Sequence, residues 1–465
     1  MRRLKPLLIT LVALSACTVG PDYEKPDMQA PPEFVSQEVL DILNDGHDEA
    51  FATDWWTGFD DPILNDLVLN GLKNNFEIAS AAAEVREAKA RIKLAGAGDN
   101  LSADATVDGS AQERQELDGG DSTTTVGVDG GIGVALPLDI FGRTRRDVEA
   151  ARAGLESATA QLNGIILRVS TDIASEYLTL RGNQRQLELL RESVALQEKT
   201  LSIVKSRYES GLSPELDLRR AETSVENFRA DIPPLERDLL NSRNRLATLT
   251  GEYPGVYEEL LSPFEDIPAY ESRIPSLMPL DVLLMRPDIQ QAEADLKQAV
   301  ANIGVAEADY YPAFELSGQV TIGSSAVSSL PTVETLVASI AAMIAQTITD
   351  GGTRDANYEI AEAQAEQALA DFEQALREAS EEVETSLAAI QSSLKRQSSL
   401  EKAVSSSQRS FSQAETLYQQ GLISFLDVVD AQRVLASAKQ QLARERTNYA
   451  TQIATLFRAL GTDVS

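Results

Sequence analysis

The sequence predicts a mainly α-helical chain that also carries membrane-type β-strands, built from one helix–strand–strand–helix–helix unit used twice. Three observations carry this reading. Matching residues recur at a spacing of 210 to 211, long segments keep a seven-residue apolar period, and short runs between them alternate apolar with polar residues.

The repeat comes first because it organises everything else. Tyr208, Gly211, Leu212, Leu216 and Asp217 return 210 residues later as Tyr418, Gly421, Leu422, Leu426 and Asp427, and Leu246 and Gly251 return as Leu456 and Gly461. Ile78, Ala81, Ala88, Ile92 and Ala95 match Ile289, Ala292, Ala299, Ile303 and Ala306 at a spacing of 211. The first repeat covers 61–250 and the second 281–461. Between them, 251–280 carries Pro254, Pro263, Pro268, Pro275 and Pro279 and reads as a linker.

Within the first repeat a helical pattern runs from Pro62 to Ala95, followed by strand-like runs at about 100–111 and 123–137. A long helix then covers Arg143 to Ser210, about 100 Å at the rise of an α-helix. Gly211 suits its C-terminal cap, and Pro214 opens the next helix, where a missing N–H is harmless. That helix reaches about Thr250, with Pro233-Pro234 expected to kink or break it. The second repeat follows the same plan: a helix from Pro287 to Asp309, strands at about 313–324 and 335–349, and helices at Thr353–Gln420 and Ser424–Leu460.

The helices want partners. Val148, Ala151, Leu155, Ala158, Leu162, Ile165 and Val169 are spaced alternately by three and four, and Val428, Leu435, Leu442, Tyr449 and Leu456 by seven. A sustained seven-residue period makes helices supercoil left-handedly, and a narrow, Ala-rich stripe must be shared by several of them.

The strands want partners too. Val126, Val128, Ile132, Val134 and Leu136 share one face of the second run, and Phe314, Leu316, Val320 and Ile322 share one face of the third, opposite Glu315, Ser317, Gln319 and Thr321. Leu101, Ala103, Ala105 and Val107 alternate more weakly. The fourth run, near Leu336–Thr349, reads equally as a short apolar helix. Runs of this length suit tilted membrane strands, with the apolar face to lipid and the polar face to water. Four strands cannot close a barrel, and open edges are not tolerated in lipid, so membrane-spanning strands here demand oligomerisation.

MRRLKPLLITLVALSAC has the charged start and short apolar stretch of a secretory leader, predicted as a signal peptide over 1–16. Its end, Leu14-Ser15-Ala16-Cys17, resembles the lipobox of bacterial lipoproteins, in which the cysteine becomes the lipidated first residue. Thr18, where sorting signals would place Asp, favours the outer membrane by the same resemblance. Residues 17–60 then form a lipidated, extended segment, rich in proline and acidic groups, that wraps the outside.

Composition excludes several functions. The net charge of -31 argues against nucleic acid, which needs clustered Lys and Arg. Cys17 and His47 are the lone cysteine and histidine, so an internal disulfide and a Cys/His metal site lack the residues they need, and a His-based triad or Cys–His pair would have to use His47, in the polar, loop-like stretch DILNDGHDEA. No enzyme site and no cofactor are expected. Gly351-Gly352 lacks the Lys and Ser/Thr of a phosphate-binding loop. Trp55-Trp56, distant from the strands, are assigned to helix packing.

Several segments together resemble the outer-membrane factors, the TolC-like channels, and within them the lipoprotein branch serving RND-type multidrug or metal efflux pumps. They are CTVGPDYEKP after the lipobox, WWTGFDDPILNDLV at Trp55–Val68, LDIFGRTRRDVEAARA at Leu138–Ala153, RPDIQQAEADL at Arg286–Leu296, TDGGTRDAN at Thr349–Asn357 and LDVVDAQRVL at Leu426–Leu435. The resemblance implies a homotrimer whose twelve strands close one β-barrel, four from each chain, above a long α-helical coiled-coil tunnel. It implies an exit duct for small molecules in the outer membrane of a Gram-negative cell, anchored by lipid with its tunnel in the periplasm, and served by a periplasmic adaptor and an inner-membrane RND-type pump. By the same resemblance Leu426, Asp430 and Arg433 fall at the periplasmic aperture. Gly211, Leu212 and Ser213, with Gly421, Leu422, Ile423 and Ser424, become tips that meet the adaptor. From the residues alone, Asp430 and Arg433 are equally an ordinary surface pair and the tips ordinary turns. Two rival readings stay open: a protein-secretion duct of the same fold, and a poreless periplasmic coiled-coil lipoprotein.

Overall fold

The computed structural model describes residues 18–26, 35, 54–115, 122–271, 283–327 and 333–461. The leader over 1–16, Cys17, His47, most of the 17–60 segment and part of the 251–280 linker lie outside the described residues. The described elements, in chain order, are α1 (Pro62–Asn74), α2 (Phe76–Gly96), β1 (Ser102–Arg114), β2 (Thr123–Leu138), α3 (Arg143–Glu209), α4 (Glu215–Ala230), α5 (Ile232–Leu249), α6 (Glu258–Leu261), α7 (Pro287–Ala308), β3 (Ala313–Val327), β4 (Val333–Ala345), α8 (Thr353–Gln419) and α9 (Phe425–Leu460). The chain divides into two compact units, one of residues 1–27, 84–159 and 291–373 and the other of 28–83, 160–290 and 374–465.

The first unit holds one antiparallel sheet in the order β1-β2-β3-β4. Its register stacks Ala105 on Ile132, Ile132 on Val320 and Val320 on Ala338, so the apolar rows of all four strands share a face. That face is open: Ile132 is 61% exposed and Ile340 85%. Asp104, Thr106, Asp108, Asp129, Glu315 and Gln319 alternate with those rows and so belong to the opposite face. An apolar face turned outward beside a polar one inverts the burial of a water-soluble sheet and fits a lipid-facing barrel wall. Among the described residues no helix is long and apolar enough to cross a membrane.

The fourth run, ambiguous in the sequence, is strand β4. Pairing with β3 decides it, because Ile322, Gly318 and Phe314 lie opposite Leu336, Ile340 and Ile344. It stops at Ala345 rather than near 349. Gln346 turns its side chain onto the Tyr310 carbonyl at 3.0 Å, and Asp350 accepts from the Gly352 and Arg354 backbone N–H groups to start α8.

The second unit is helical, and Trp55 and Trp56 anchor its core, each 1% exposed. Trp55 stacks on Phe457 at 5.1 Å, and the Trp56 indole N–H donates to Asn65 Oδ1 at 3.1 Å. Leu64, Leu178, Leu249, Ile390 and Ile453 complete the cluster. Two helices are each split, the first where continuity was expected and the second close to where a break was. Asn75 interrupts the first at extended dihedrals: its Oδ1 accepts from the Glu77 N–H at 2.8 Å and its Nδ2 donates to the Leu249 carbonyl at 2.8 Å. An asparagine side chain that caps a new helix competes with the backbone that would continue the old one. The break attributed to Pro233-Pro234 falls before them, at Asp231, so both prolines sit in the first turn of α5, where they displace no hydrogen bond.

Buried arginines fasten the connecting segments. The Asp61 carboxylate caps α1 by accepting from the Ile63 and Leu64 N–H groups, and accepts from Tyr177 Oη at 2.6 Å. Tyr177 Oη in turn accepts from Arg181 Nε at 2.9 Å. Arg181, fully buried, also reaches Gln184 Oε1, the Pro263 carbonyl and the Glu265 carboxylate. Arg286 similarly ties Asp288 and Glu382 to the Ala459 carbonyl, beside Gly461, whose positive φ ends α9. Removing the Arg181 guanidinium takes a donor from the buried Tyr177 hydroxyl and Gln184 amide oxygen, at about 1 to 3 kcal/mol, while the half-exposed Glu265 carboxylate returns to water. Arg181→Ala should therefore lower the midpoint of thermal unfolding and expose the bond after Pro263 to protease. An unchanged midpoint would show that the guanidinium is dispensable.

Candidate functional site: the hairpin tips and the exposed stripe of the last helix

Both long helices end in the same way. The Gly211 N–H donates to the Tyr208 carbonyl and the Leu212 N–H to that of Arg207, at 2.9 and 2.8 Å; the Gly421 and Leu422 N–H groups reach Tyr418 and Leu417 at 2.9 Å each. These paired bonds form a Schellman motif, and they need a left-handed residue, supplied by Gly211 at φ +72° and Gly421 at φ +74°. The leucine after each glycine is exposed, Leu212 at 70% and Leu422 at 67%.

The two hairpins are joined side by side. Arg207 donates to the Tyr418 carbonyl at 3.4 Å and its guanidinium lies 4.9 Å from the Tyr418 ring centre. Tyr418 packs on buried Phe425, and Val204, Leu218, Phe411, Val428 and Leu435 fill the same apolar cluster. The tips differ in their caps. In the first, Ser213 donates to Asp217 at 3.1 Å. In the second, the Ser424 hydroxyl and backbone N–H both donate to Asp427 Oδ2, at 2.7 and 2.9 Å. Ile423 is half-buried against the cluster.

Helix α9 has two faces. Phe425, Val428, Gln432 and Leu435 are buried, whereas Leu426, Asp430 and Arg433 lie on one exposed stripe, one turn apart in succession. Arg433 Nη2 donates to Asp430 Oδ1 at 2.8 Å. Beside this stripe, α4 and α9 border an open cleft of about 580 Å3, lined by Phe228, Phe425, Arg219, Arg220, Leu426 and Arg433 among others. Sequence reasoning passed over Arg219 and Arg220, and no periodic signal distinguishes them from other surface arginines. Cys17, the remaining site residue expected from the sequence, lies outside the described residues. Among those residues no group of acidic, His and Cys side chains is arranged to hold a metal.

The Asp427 carboxyl is held below the usual carboxylate range by its hydrogen bonds from the Ser424 hydroxyl and N–H. A depressed folded pKa gives stabilisation that is complete above the unfolded value, about 3.9, and is lost as pH falls through the folded one. The protection factors of the 424–428 amides, taken against the intrinsic rate at each pH, should fall over that acid interval, and Asp427→Asn should remove this pH dependence. Gly421→Ala should cost about 1 to 2 kcal/mol by forcing a left-handed alanine, read as a lower unfolding midpoint.

Comparison with known proteins gives a consistent result. A family model described as "Outer membrane efflux protein" matches residues 67–252 and 279–462. The sequence is 30% identical to Nodulation protein T of Rhizobium leguminosarum bv. trifolii, over 96% of this chain and 95% of that protein. It is also 30% identical to the cation efflux system protein CusC of Escherichia coli O6:H1, over 99% and 98% of the two chains. The solved outer-membrane channel OprN superposes with a TM-score of 0.88 at 29% identity, covering 96% of this chain and 99% of that one.

Proposed function

The chain belongs to the outer membrane efflux protein family, and we propose that Leu426, Asp430 and Arg433 form the periplasmic aperture of its duct. The family and its solved members make the protein a trimeric outer-membrane channel, with a twelve-stranded barrel and an α-helical tunnel, that serves as the exit duct of an efflux system. The observation that supports the aperture is that Leu426, Asp430 and Arg433 share one exposed face of α9 while Phe425, Val428, Gln432 and Leu435 are packed behind them. Three-fold symmetry would bring three Asp430 carboxylates and three Leu426 side chains around one axis. Asp430→Ala should leave the trimer intact and raise leak conductance in a planar bilayer. Unchanged conductance removes Asp430 from the aperture.

The tips 211–213 and 421–424 are the surfaces that receive a periplasmic adaptor, which links the duct to an RND-type inner-membrane pump. Exposed leucines over shape-determined turns support this, because their side chains are free to be buried by a partner. A photo-crosslinker at Leu422 in living cells should capture the adaptor. Capture of its own subunits alone would move the docking surface elsewhere. In the same reading residues 1–16 are removed as a leader and Cys17 carries the lipid anchor, with no other cofactor. A pump of this class delivers small molecules. The relatives' names, one for cation efflux and one for nodulation, point to different cargoes, and the acidic polar face of the sheet suits cationic ones.

A further inference from the structure

Residues Thr18–Lys25 occupy a built socket in the first unit. Its centre is Arg146, on the first turn of α3 and 3% exposed. Arg146 Nε donates to the Val19 carbonyl at 3.0 Å, and Nη2 to the Gly20 carbonyl at 2.8 Å and the Asp22 carboxylate at 2.9 Å. Nη1 is held by Glu149 at 2.8 Å. The Val19 N–H donates to the Phe141 carbonyl at 3.1 Å. Farther along, Tyr23 Oη donates to Glu293 at 3.3 Å, and Lys25 Nζ stands 3.6 Å from the same carboxylate.

Close approach needs glycine on both sides. Gly20 has φ +91°, and a Cβ there would stand 2.4 Å from Gly304 Cα on α7. A Cβ on Gly304 would stand 2.8 Å from the Arg146 side chain. The socket therefore accepts the Val19-Gly20 backbone and little else. It also has a definite level in the sheet. The Phe141 ring stacks on Tyr311 at 4.6 Å and lies 6.4 Å from Phe314 of β3, and aromatic side chains at strand ends mark the boundary between lipid and water.

We propose that this socket is the receptor for the lipidated amino terminus of the mature chain, with Arg146 as its positioning residue. It seats Thr18 at the foot of the sheet. Acyl chains on the preceding residue, one Cα step of about 3.8 Å away, then enter the bilayer beside the barrel wall. Releasing residues 18–25 would add eight residues of slack, roughly 15 Å root-mean-square for a flexible segment, and the anchor would wander across the leaflet. The proposal rests on the reading of Cys17 as the lipidated residue.

The test uses the full chain, processed in a Gram-negative host fed a fatty acid that carries a photoreactive diazirine. Mass spectrometry of the amino-terminal peptide first reports whether Cys17 is acylated; an unmodified peptide overturns the lipidation reading and this proposal together. With acylation present, irradiation should link the acyl chain to peptides containing Phe141, Tyr311 or Phe314. Arg146→Gln and Gly20→Ala should keep the acylation and the trimer but lower those links about five-fold or more as the anchor disperses. Gly20→Ala alters the strap and leaves α3 untouched, so it still reports if Arg146→Gln fails to assemble. Equal linking in wild type and Gly20→Ala, or links spread over unrelated peptides in wild type, overturns the socket while leaving lipidation standing.

Discussion

Backbone hydrogen bonding in lipid is the constraint on which the rest of this chain depends. The sheet offers an outward apolar face, so it belongs in a bilayer, yet β1 and β4 each leave an edge of unpaired N–H and C=O groups. Hydrocarbon offers no water to satisfy those groups, and each would cost several kcal/mol. Closure against other copies is the available solution, and the trimeric family members adopt it. The helices obey a parallel logic. Their apolar stripes are narrow and rich in alanine, and α9 keeps an exposed stripe although its other face is packed. Both halves of the molecule are thus incomplete in one chain.

Much of the fold was legible because it is written in periodicities. The spacing of 210 residues, the heptads and the alternation in β2 and β3 gave the element order, and both long helices begin where the sequence predicts. The departures occur where a single contact from a distant segment decides. Strand β4 needed its partner β3, since its own residues alternate poorly. The break at Asn75 depends on an amide that reaches Leu249, far away in sequence. The prolines of α5 announced a break, but their tolerance in a first helical turn placed it two residues earlier.

The candidate sites were legible to different degrees. The tip glycines follow from turn chemistry, and the structure gives each the left-handed backbone that a Schellman motif requires. That Leu426, Asp430 and Arg433 share a stripe follows from helical spacing, but its exposure does not, because the seven-residue pattern of α9 marks one packed seam and leaves open how many helices surround the rest. The arginines that fasten the structure were invisible. Arg181, Arg286 and Arg146 are buried, whereas most arginines stay in water, and composition cannot tell one from another. Their use as fasteners follows from the guanidinium fork, which can satisfy several carbonyls and carboxylates of irregular backbone at once.

The two tips are the same turn with different trim. One continues as Ser213-Pro214 and the other as Ile423-Ser424, over an identical pattern of backbone bonds. A duplicated hairpin in a three-fold assembly yields six tips of two kinds. The duplication thereby gives one chain two turns with a common backbone and separate side chains, and selection can alter one without disturbing the other.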